Sequence, residues 1–186
     1  MAVLQNILSL FGTQVHSEPE NVEPAEPTTY SLHPLTADDL NEVLRLNLRC
    51  FQNGENYTRH TFAFLLSEPG TLSYKAVSAD GQMTAFAFVM VNADAIGHLT
   101  TIGVAPEHRR RGLAQRLLTS LEEKLRAKHI STIVLEVRVG NIAAQQLYRQ
   151  LGYEVTQRIA AYYNNGEDGF LMMKSLVDIG DQNYPA

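Results

Sequence analysis

The stretch EHRRRGLAQRLL, residues 107–118, places three arginines directly before Gly112 and an apolar-periodic run that predicts a helix. The N-terminus of a helix presents unpaired N–H groups and a partial positive charge, so it can bind an anion. Gly112 has no Cβ to keep an anion at a distance, and Ala114 carries only a methyl group, the smallest side chain after that of glycine. The arrangement fits a phosphate or pyrophosphate site, and a solvated basic turn remains the alternative.

The charge of the whole chain restricts what that anion can be. A dedicated nucleic-acid-binding protein normally has a basic domain, whereas this chain has a formal net charge of −5. The positive charge is local, which favours a small anionic ligand and predicts no direct contact with nucleic acid. No cluster of His, Cys, Asp and Glu has the spacing of metal ligands, so no metal is expected.

A second group of candidate residues lies further along the chain. Glu136 is near the carboxyl end of a predicted strand whose opposite face is apolar, and burying a charge there is costly. It could serve as a general base, or it could form an ion pair with Arg138. Tyr148 shares a predicted helix face with leucines, so core packing alone explains it. Asn141 is the predicted N-cap of that helix.

The order of predicted elements indicates the fold class. Mixed strands and helices, with antiparallel hairpins at both ends, predict a mixed α/β (α+β) sheet. The predicted strands are 30–34, 72–78, 83–91, 96–104 and 132–139, with two more flanking 164–169. The predicted helices are 37–51, 58–67, a long one beginning near 113, and 142–151.

The chain divides into three predicted regions. Residues 1–27 form an N-terminal segment that ends in an acidic, Pro-rich linker, residues 28–176 form one domain, and residues 177–186 form a tail. Apolar spacing within 1–12 predicts a helix that docks on a partner or a membrane surface, or one that packs on its own domain or frays. That run is too short to span a bilayer, and no membrane partner is expected. The single cysteine, Cys50, favours a reducing compartment, and we predict the cytoplasm.

Three motifs, in order, resemble signatures of the GNAT superfamily of acyl-CoA-dependent N-acetyltransferases. Arg109-x-x-Gly112-x-Ala114 resembles the Arg/Gln-x-x-Gly-x-Gly/Ala motif, and LEVRVGNIAAQQLYRQLGY resembles the second signature. YYNNGEDGFLMMKSL resembles the C-terminal hairpin of N-terminal protein acetyltransferases, especially the ribosomal-protein-alanine (RimI-like) branch. The resemblance covers residues 28–176.

This resemblance implies a GNAT fold and acetyl-CoA as cosubstrate. The fold is a mixed sheet of about seven strands with flanking helices, splayed between the strands at 96–104 and 132–139. Residues 102–104 are then expected on the pantetheine arm and residues 109–114 on the pyrophosphate. The residues assigned to the cofactor are Ile102, Gly103, Val104, Arg109, Arg110, Arg111, Gly112, Leu113, Ala114 and Asn141.

The resemblance also assigns the reaction. Glu136 matches the general base, and Tyr148 matches the general acid that protonates the departing coenzyme A thiolate. Tyr162 and Tyr163, which could be ordinary strand aromatics, would line a groove for a peptide N-terminus together with the loop that begins at Phe51. That loop, CFQNGENYT, lacks the tryptophan or proline that follows Cys-Phe in many ribosomal-alanine enzymes.

The resulting expectation is acetyl transfer from acetyl-CoA to the N-terminal α-amine of a protein or peptide, with the ribosomal-protein-alanine type of enzyme favoured and a ribosomal protein as a candidate acceptor. An alternative enzyme on the same scaffold would acetylate a small amine or a lysine side chain. A third reading is a non-catalytic module that binds acyl-CoA. No feature of the sequence indicates an oligomeric state.

Removal of residues 1–27 should leave kcat nearly unchanged, because every residue assigned a role lies beyond Thr28. The measurement is turnover at saturating substrates, with the circular dichroism spectrum as the control for folding. A truncated protein that folds but has lost turnover would show that the segment belongs to the site.

Overall fold

The computed structural model describes residues 22–51 and 56–177. The helix predicted within 1–12, the first part of the linker and nearly all of the tail lie outside these described residues. The strands are β1 (Tyr30–Pro34), β2 (Thr71–Ser78), β3 (Met83–Val91), β4 (Ile96–Val104), β5 (Thr132–Arg138), β6 (Glu154–Ile159) and β7 (Gly169–Ser175). The α-helices are α1 (Leu40–Cys50), α2 (Arg59–Ser67), α3 (Leu113–Ala127) and α4 (Ile142–Gln150).

The seven strands form one mixed, open sheet in the order β1-β2-β3-β4-β5-β7-β6. Every neighbouring pair is antiparallel except β4 and β5, which are parallel. The predicted mixed sheet with flanking helices is therefore confirmed. The helix predicted over 37–51 is divided: a 3-10 turn at Ala37–Asp39, where the Asp39 carboxylate accepts the N–H of Thr36, precedes α1.

Central strand β3 is buried on both faces, which separates two apolar cores. Ala85, Ala87 and Val89 point to one core, where the leucines of α3 pack together with α4. Phe86 and Phe88 point to the other core, against α1 and α2. Alternation along one strand thus assigns α3 and α4 to one side of the sheet and α1 and α2 to the other.

Strands β4 and β5 separate soon after they meet. Their parallel pairing covers three positions, 96–98 with 132–134, and β5 then continues against β7 on its other side. We call the gap between the diverging strands β4 and β5 the fork. Because parallel strands point the same way, the loop before α3 and the turn before α4 both begin at the carboxyl edge of this fork. The sheet therefore brings two helix N-termini to the mouth of one gap. None of the helices in the described ranges is long and apolar enough to cross a membrane.

Candidate active site

A cavity of about 740 Å³ lies in the fork between β4 and β5. Its wall includes the carboxyl halves of both strands, the loop before α3, one face of α4 and the turn after β6. The residues predicted for the site that line it are Phe51, Ile102, Gly103, Val104, Arg109, Arg110, Gly112, Leu113, Ala114, Glu136, Asn141, Tyr148, Tyr162 and Tyr163. Tertiary structure thus brings together residues that are up to about a hundred positions apart in the chain.

The loop before α3 forms a cradle suited to an anion. Gly112 is the N-cap with φ +74°, and a Cβ built there meets no atom within 4 Å. Having no side chain, this N-cap leaves the first-turn N–H groups of α3 available to a ligand. The Arg109 guanidinium donates to the carbonyls of Val104 and Cys50, at 3.3 and 3.4 Å, which ties the loop to the end of α1.

Arg111 departs from the expected arrangement, because its side chain turns away from the cavity. Its guanidinium donates to the backbone carbonyls of Ala25 and Glu26 and to the Tyr30 hydroxyl. The three arginines therefore differ in position: Arg109 and Arg110 border the cavity, and Arg111 binds the chain that precedes β1. A guanidinium presents several donors, and the nearby carbonyls accept them.

Strand β4 carries an irregularity inside the cavity. Val89 pairs with Leu99 and Phe88 pairs with Thr101, so Thr100 is an extra residue on β4, that is, a β-bulge. The carbonyl of Thr100 accepts a hydrogen bond from the Tyr57 hydroxyl at 2.9 Å. The bulge redirects a backbone carbonyl toward the loop that follows α1.

The Glu136 carboxylate is paired across the fork with an imidazole that the sequence reasoning did not select. Its Oε2 lies 2.7 Å from Nε2 of His98, and the two side chains are 9% and 18% exposed. The expected alternative partner, Arg138, has its guanidinium on Glu167 and over the ring of Tyr163. Along β4, His98 alternates with buried residues, and this pattern could have identified it as a candidate site residue. Its proximity to Glu136 depends on the parallel register of β4 with β5, which local sequence does not contain.

A group of tyrosines stands around Glu136. Tyr162 and Tyr163 lie in the turn between β6 and β7, not in a strand, which corrects their interpretation as strand aromatics. Their rings are perpendicular with centroids 5.1 Å apart. Burial, and secondarily the Glu136 carboxylate, raises the pKa of Tyr57 and of Tyr162. These hydroxyls therefore remain protonated and can donate hydrogen bonds in the cavity.

Helix α4 places Tyr148 in the wall of the cavity. The Asn141 side chain accepts the N–H of Ala144 at 3.1 Å, so the predicted N-cap is confirmed. Gln145 donates to the carbonyls of Arg138 and Val139, which fixes the start of α4 against the end of β5. Tyr148 is only 6% exposed, and burial raises its pKa, so its hydroxyl is protonated at neutral pH. It reaches the cavity and also packs in the core, so both expected roles are compatible with its position.

Within the described part of the chain, no group of three or more His, Cys, Asp or Glu side chains could hold a metal ion. The polar groups that line the cavity include N–H donors, hydroxyls, the Glu136 carboxylate and the imidazoles of His98 and His108, a set suited to an anionic ligand and to proton transfer.

Comparison with known proteins assigns the family. The family model described as the acetyltransferase (GNAT) family matches residues 40–153. The N-terminal acetyltransferase A complex catalytic subunit NAA10 of Arabidopsis thaliana is 32% identical over 80% of this chain and 78% of its own length. The N-alpha-acetyltransferase of Saccharolobus solfataricus is 28% identical over 84% of this chain and 99% of its own.

A solved structure shows a similar architecture. The ribosomal-protein-S18-alanine N-acetyltransferase of Escherichia coli is 28% identical, with a TM-score of 0.75 over 84% of this chain and all of that one. The matched region 40–153 includes the fork, the cradle and α4, and therefore most of the cavity wall. The chain thus belongs to the acetyltransferase (GNAT) family and is an acetyl-CoA-dependent acyltransferase.

Proposed function

We propose that this chain transfers the acetyl group of acetyl-CoA to the N-terminal α-amine of a protein or peptide. The observation that carries the proposal is the Glu136–His98 pair, which stands among tyrosines in the same cavity as the anion cradle. This arrangement offers an acid–base pair between a place for a cofactor and a place for an acceptor. The names of the relatives, N-alpha-acetyltransferases, support the α-amine as the acceptor.

The chain's own groups fit acetyl-CoA. The cradle at Gly112 offers N–H groups and open space to a pyrophosphate, with Arg110 at its rim. The β4 backbone at residues 102–104 borders the cavity where an extended pantetheine chain would lie, and Asn141, at the start of α4, lines the same cavity. When bound, acetyl-CoA supplies an acetyl thioester, which is an acyl group activated for transfer to an amine.

Glu136 is the proposed general base. It accepts a proton from the acceptor's ammonium group, directly or through a water molecule, so that the free amine can attack. His98 orients the carboxylate through Nε2 at 2.7 Å and can share the proton. Because the pair is largely buried, both groups are held in one geometry before the acceptor arrives.

Tyr148 is the proposed general acid. Its buried hydroxyl is kept protonated by a raised pKa, so a proton is available for the sulfur that leaves with coenzyme A. Packing against the ring of Tyr153, with centroids 5.7 Å apart, restrains the phenol in position. Glu136 and Tyr148 therefore act on different atoms of the reaction, the amine and the sulfur.

The acceptor groove is proposed between the loop that begins at Phe51 and the turn after β6. Tyr57, Tyr162 and Tyr163 supply hydroxyls and ring edges there, and Arg138 lies over Tyr163. We propose the ribosomal-protein-alanine type as the finer assignment, on the resemblance of the C-terminal hairpin and on the Escherichia coli structure. The cytoplasm remains the predicted compartment, on the argument from the single cysteine.

Peptides with free N-termini should be acetylated on the α-amine, with alanine preferred in the first position. The test offers acetyl-CoA and a peptide library that varies the first two residues, and mass spectrometry locates the acetyl group. Matched peptides with a formylated N-terminus and an internal lysine are the control, together with polyamines. Acetylation of lysines or polyamines alone would favour the small-amine or lysine enzyme. Binding of acetyl-CoA without any thiol release would favour the non-catalytic module.

Gly112→Val should weaken acetyl-CoA binding far more than Arg110→Ala. A branched Cβ intrudes on the cradle and is strained at φ +74°, whereas the rim arginine adds only solvent-screened charge. Calorimetry gives both dissociation constants, and thermal unfolding of each variant separates a loss of stability from a loss of binding. Equal weakening by both substitutions would mean that side-chain charge, not backbone access, binds the anion.

Glu136→Gln should lower turnover by roughly 10²–10⁴-fold and leave acetyl-CoA affinity nearly unchanged. An α-amine has a pKa of about 7.7–8.0, so this variant should recover in part as rising pH deprotonates the acceptor. Tyr148→Phe should be slow at every pH, because higher pH cannot supply the missing proton. The pH–rate profiles of both variants with one peptide test the assignment, and identical profiles or a fully active Glu136→Gln would refute it.

A further inference from the structure

The residues ahead of β1 are bound to the back of the cofactor cradle. We name residues 24–27 the N-terminal strap. The N–H of Ala25 donates to the carbonyl of Glu107 at 3.0 Å. In the opposite direction, the Arg111 guanidinium donates to the carbonyls of Ala25 and Glu26. The acidic, Pro-rich linker is therefore attached, at these residues, to the loop that forms the cradle.

The cradle loop has a backbone conformation that must be held by its surroundings. Arg110, with φ +61°, and Gly112, with φ +74°, are both left-handed, and Arg111 stands between them. A left-handed conformation costs a non-glycine residue energy and persists only where neighbouring contacts enforce it. Arg109 anchors one side of the loop to α1, and Arg111 anchors the other side to the strap.

The strap is a suitable anchor because it has little conformational freedom to lose. Pro24 and Pro27 have fixed φ angles, and Glu26 is restricted to extended conformations because it precedes a proline. The Glu26 carbonyl that Arg111 binds is thus partly pre-positioned, which lowers the entropic cost of docking.

The anchor continues into the body of the protein beyond the strap. The Tyr30 hydroxyl contacts both Arg111, at 3.0 Å, and Nδ1 of the buried His108, at 2.9 Å. Arg116, in the first turns of α3, donates to the Tyr30 carbonyl at 3.0 Å. The first residue of β1, the cradle loop and helix α3 therefore share one hydrogen-bond network.

We propose that Arg111 is a positioning residue that, with the N-terminal strap, holds the cradle loop in its acetyl-CoA-binding conformation. This inference rests on the proposed cofactor site. Arg111 itself acts through its neighbours: Arg110 and Gly112 line the cavity, and Arg111 binds the strap on the other side. The strap therefore contributes to the affinity for acetyl-CoA and not to the chemical step.

The test compares the full chain with two truncations and one point variant. Deleting residues 1–21 keeps the strap and should leave the dissociation constant for acetyl-CoA unchanged. Deleting residues 1–27 should raise it roughly 5- to 50-fold, the range expected for loss of charged hydrogen bonds that position the site. Arg111→Ala should have a similar effect. Calorimetry measures binding, and kcat at saturating acetyl-CoA should remain that of the full chain while KM rises.

Combining Arg111→Ala with deletion of residues 1–27 separates coupling between Arg111 and the strap from a general loss of stability. If Arg111 acts through the strap, Arg111→Ala should weaken binding in the full chain but add little in the chain that lacks residues 1–27. Arg45→Ala, which removes an exposed charge on α1, is the control for net charge. Hydrogen exchange at the amides of residues 107–112 should accelerate in Arg111→Ala and in the longer truncation only.

A substitution within the full chain keeps the test decisive if the longer truncation does not fold. Ala25→Pro removes the N–H that donates to Glu107, and Ala25→Ser retains it, so only the proline should weaken binding. Full affinity in Arg111→Ala or in Ala25→Pro would overturn the inference and leave the proposed function intact. A full chain that binds no acetyl-CoA would overturn both.

Discussion

Strands β4 and β5 share three backbone pairings and then diverge, and the position of every group in the candidate site depends on that divergence. A parallel pair that continued to its end would close the gap with hydrogen bonds and leave no cavity. Here β5 is kept in the sheet by β7 on its other side, so it can leave β4 without exposing both of its edges. The open edges of the fork face a cavity of about 740 Å³ that can accept an extended ligand.

Polar side chains occupy the fork where the backbone pairing stops. His98 is in the last paired position of β4, and Glu136 lies two residues beyond its partner Val134 on β5. Their contact bridges the two strands just past the last pairing. The same contact provides a partner for a nearly buried carboxylate, whose desolvation would otherwise be costly. One interaction thus serves both the structure of the fork and the proposed proton transfer.

The three consecutive arginines, residues 109–111, have two different roles, which are anchoring the loop and lining the rim of the cavity. In the proposed anion site, backbone N–H groups rather than side-chain charge contact the ligand, since Gly112 leaves the helix N-terminus open. Arg109 and Arg111 bind carbonyls on opposite sides of the loop, at the end of α1 and in the strap. Arg110 is left at the rim, in a left-handed conformation that these two anchors support. A positively charged stretch can therefore be mainly a scaffold for N–H groups.

Much of this arrangement follows from local sequence. Alternating apolar residues in β5 predict which face Glu136 occupies, the Asn141 cap and apolar spacing predict α4, and Gly112 before an apolar-periodic run predicts the cradle. These features depend on contacts between residues close in the chain, and the three motifs add the family. Tertiary structure alone decided the partner of Glu136, because the parallel register sets which β4 residue faces it. It also decided the direction of Arg111, since carbonyls more than eighty positions away compete with solvent and ligand for its guanidinium. Such long-range pairing depends on how the whole chain packs, and no local pattern encodes it.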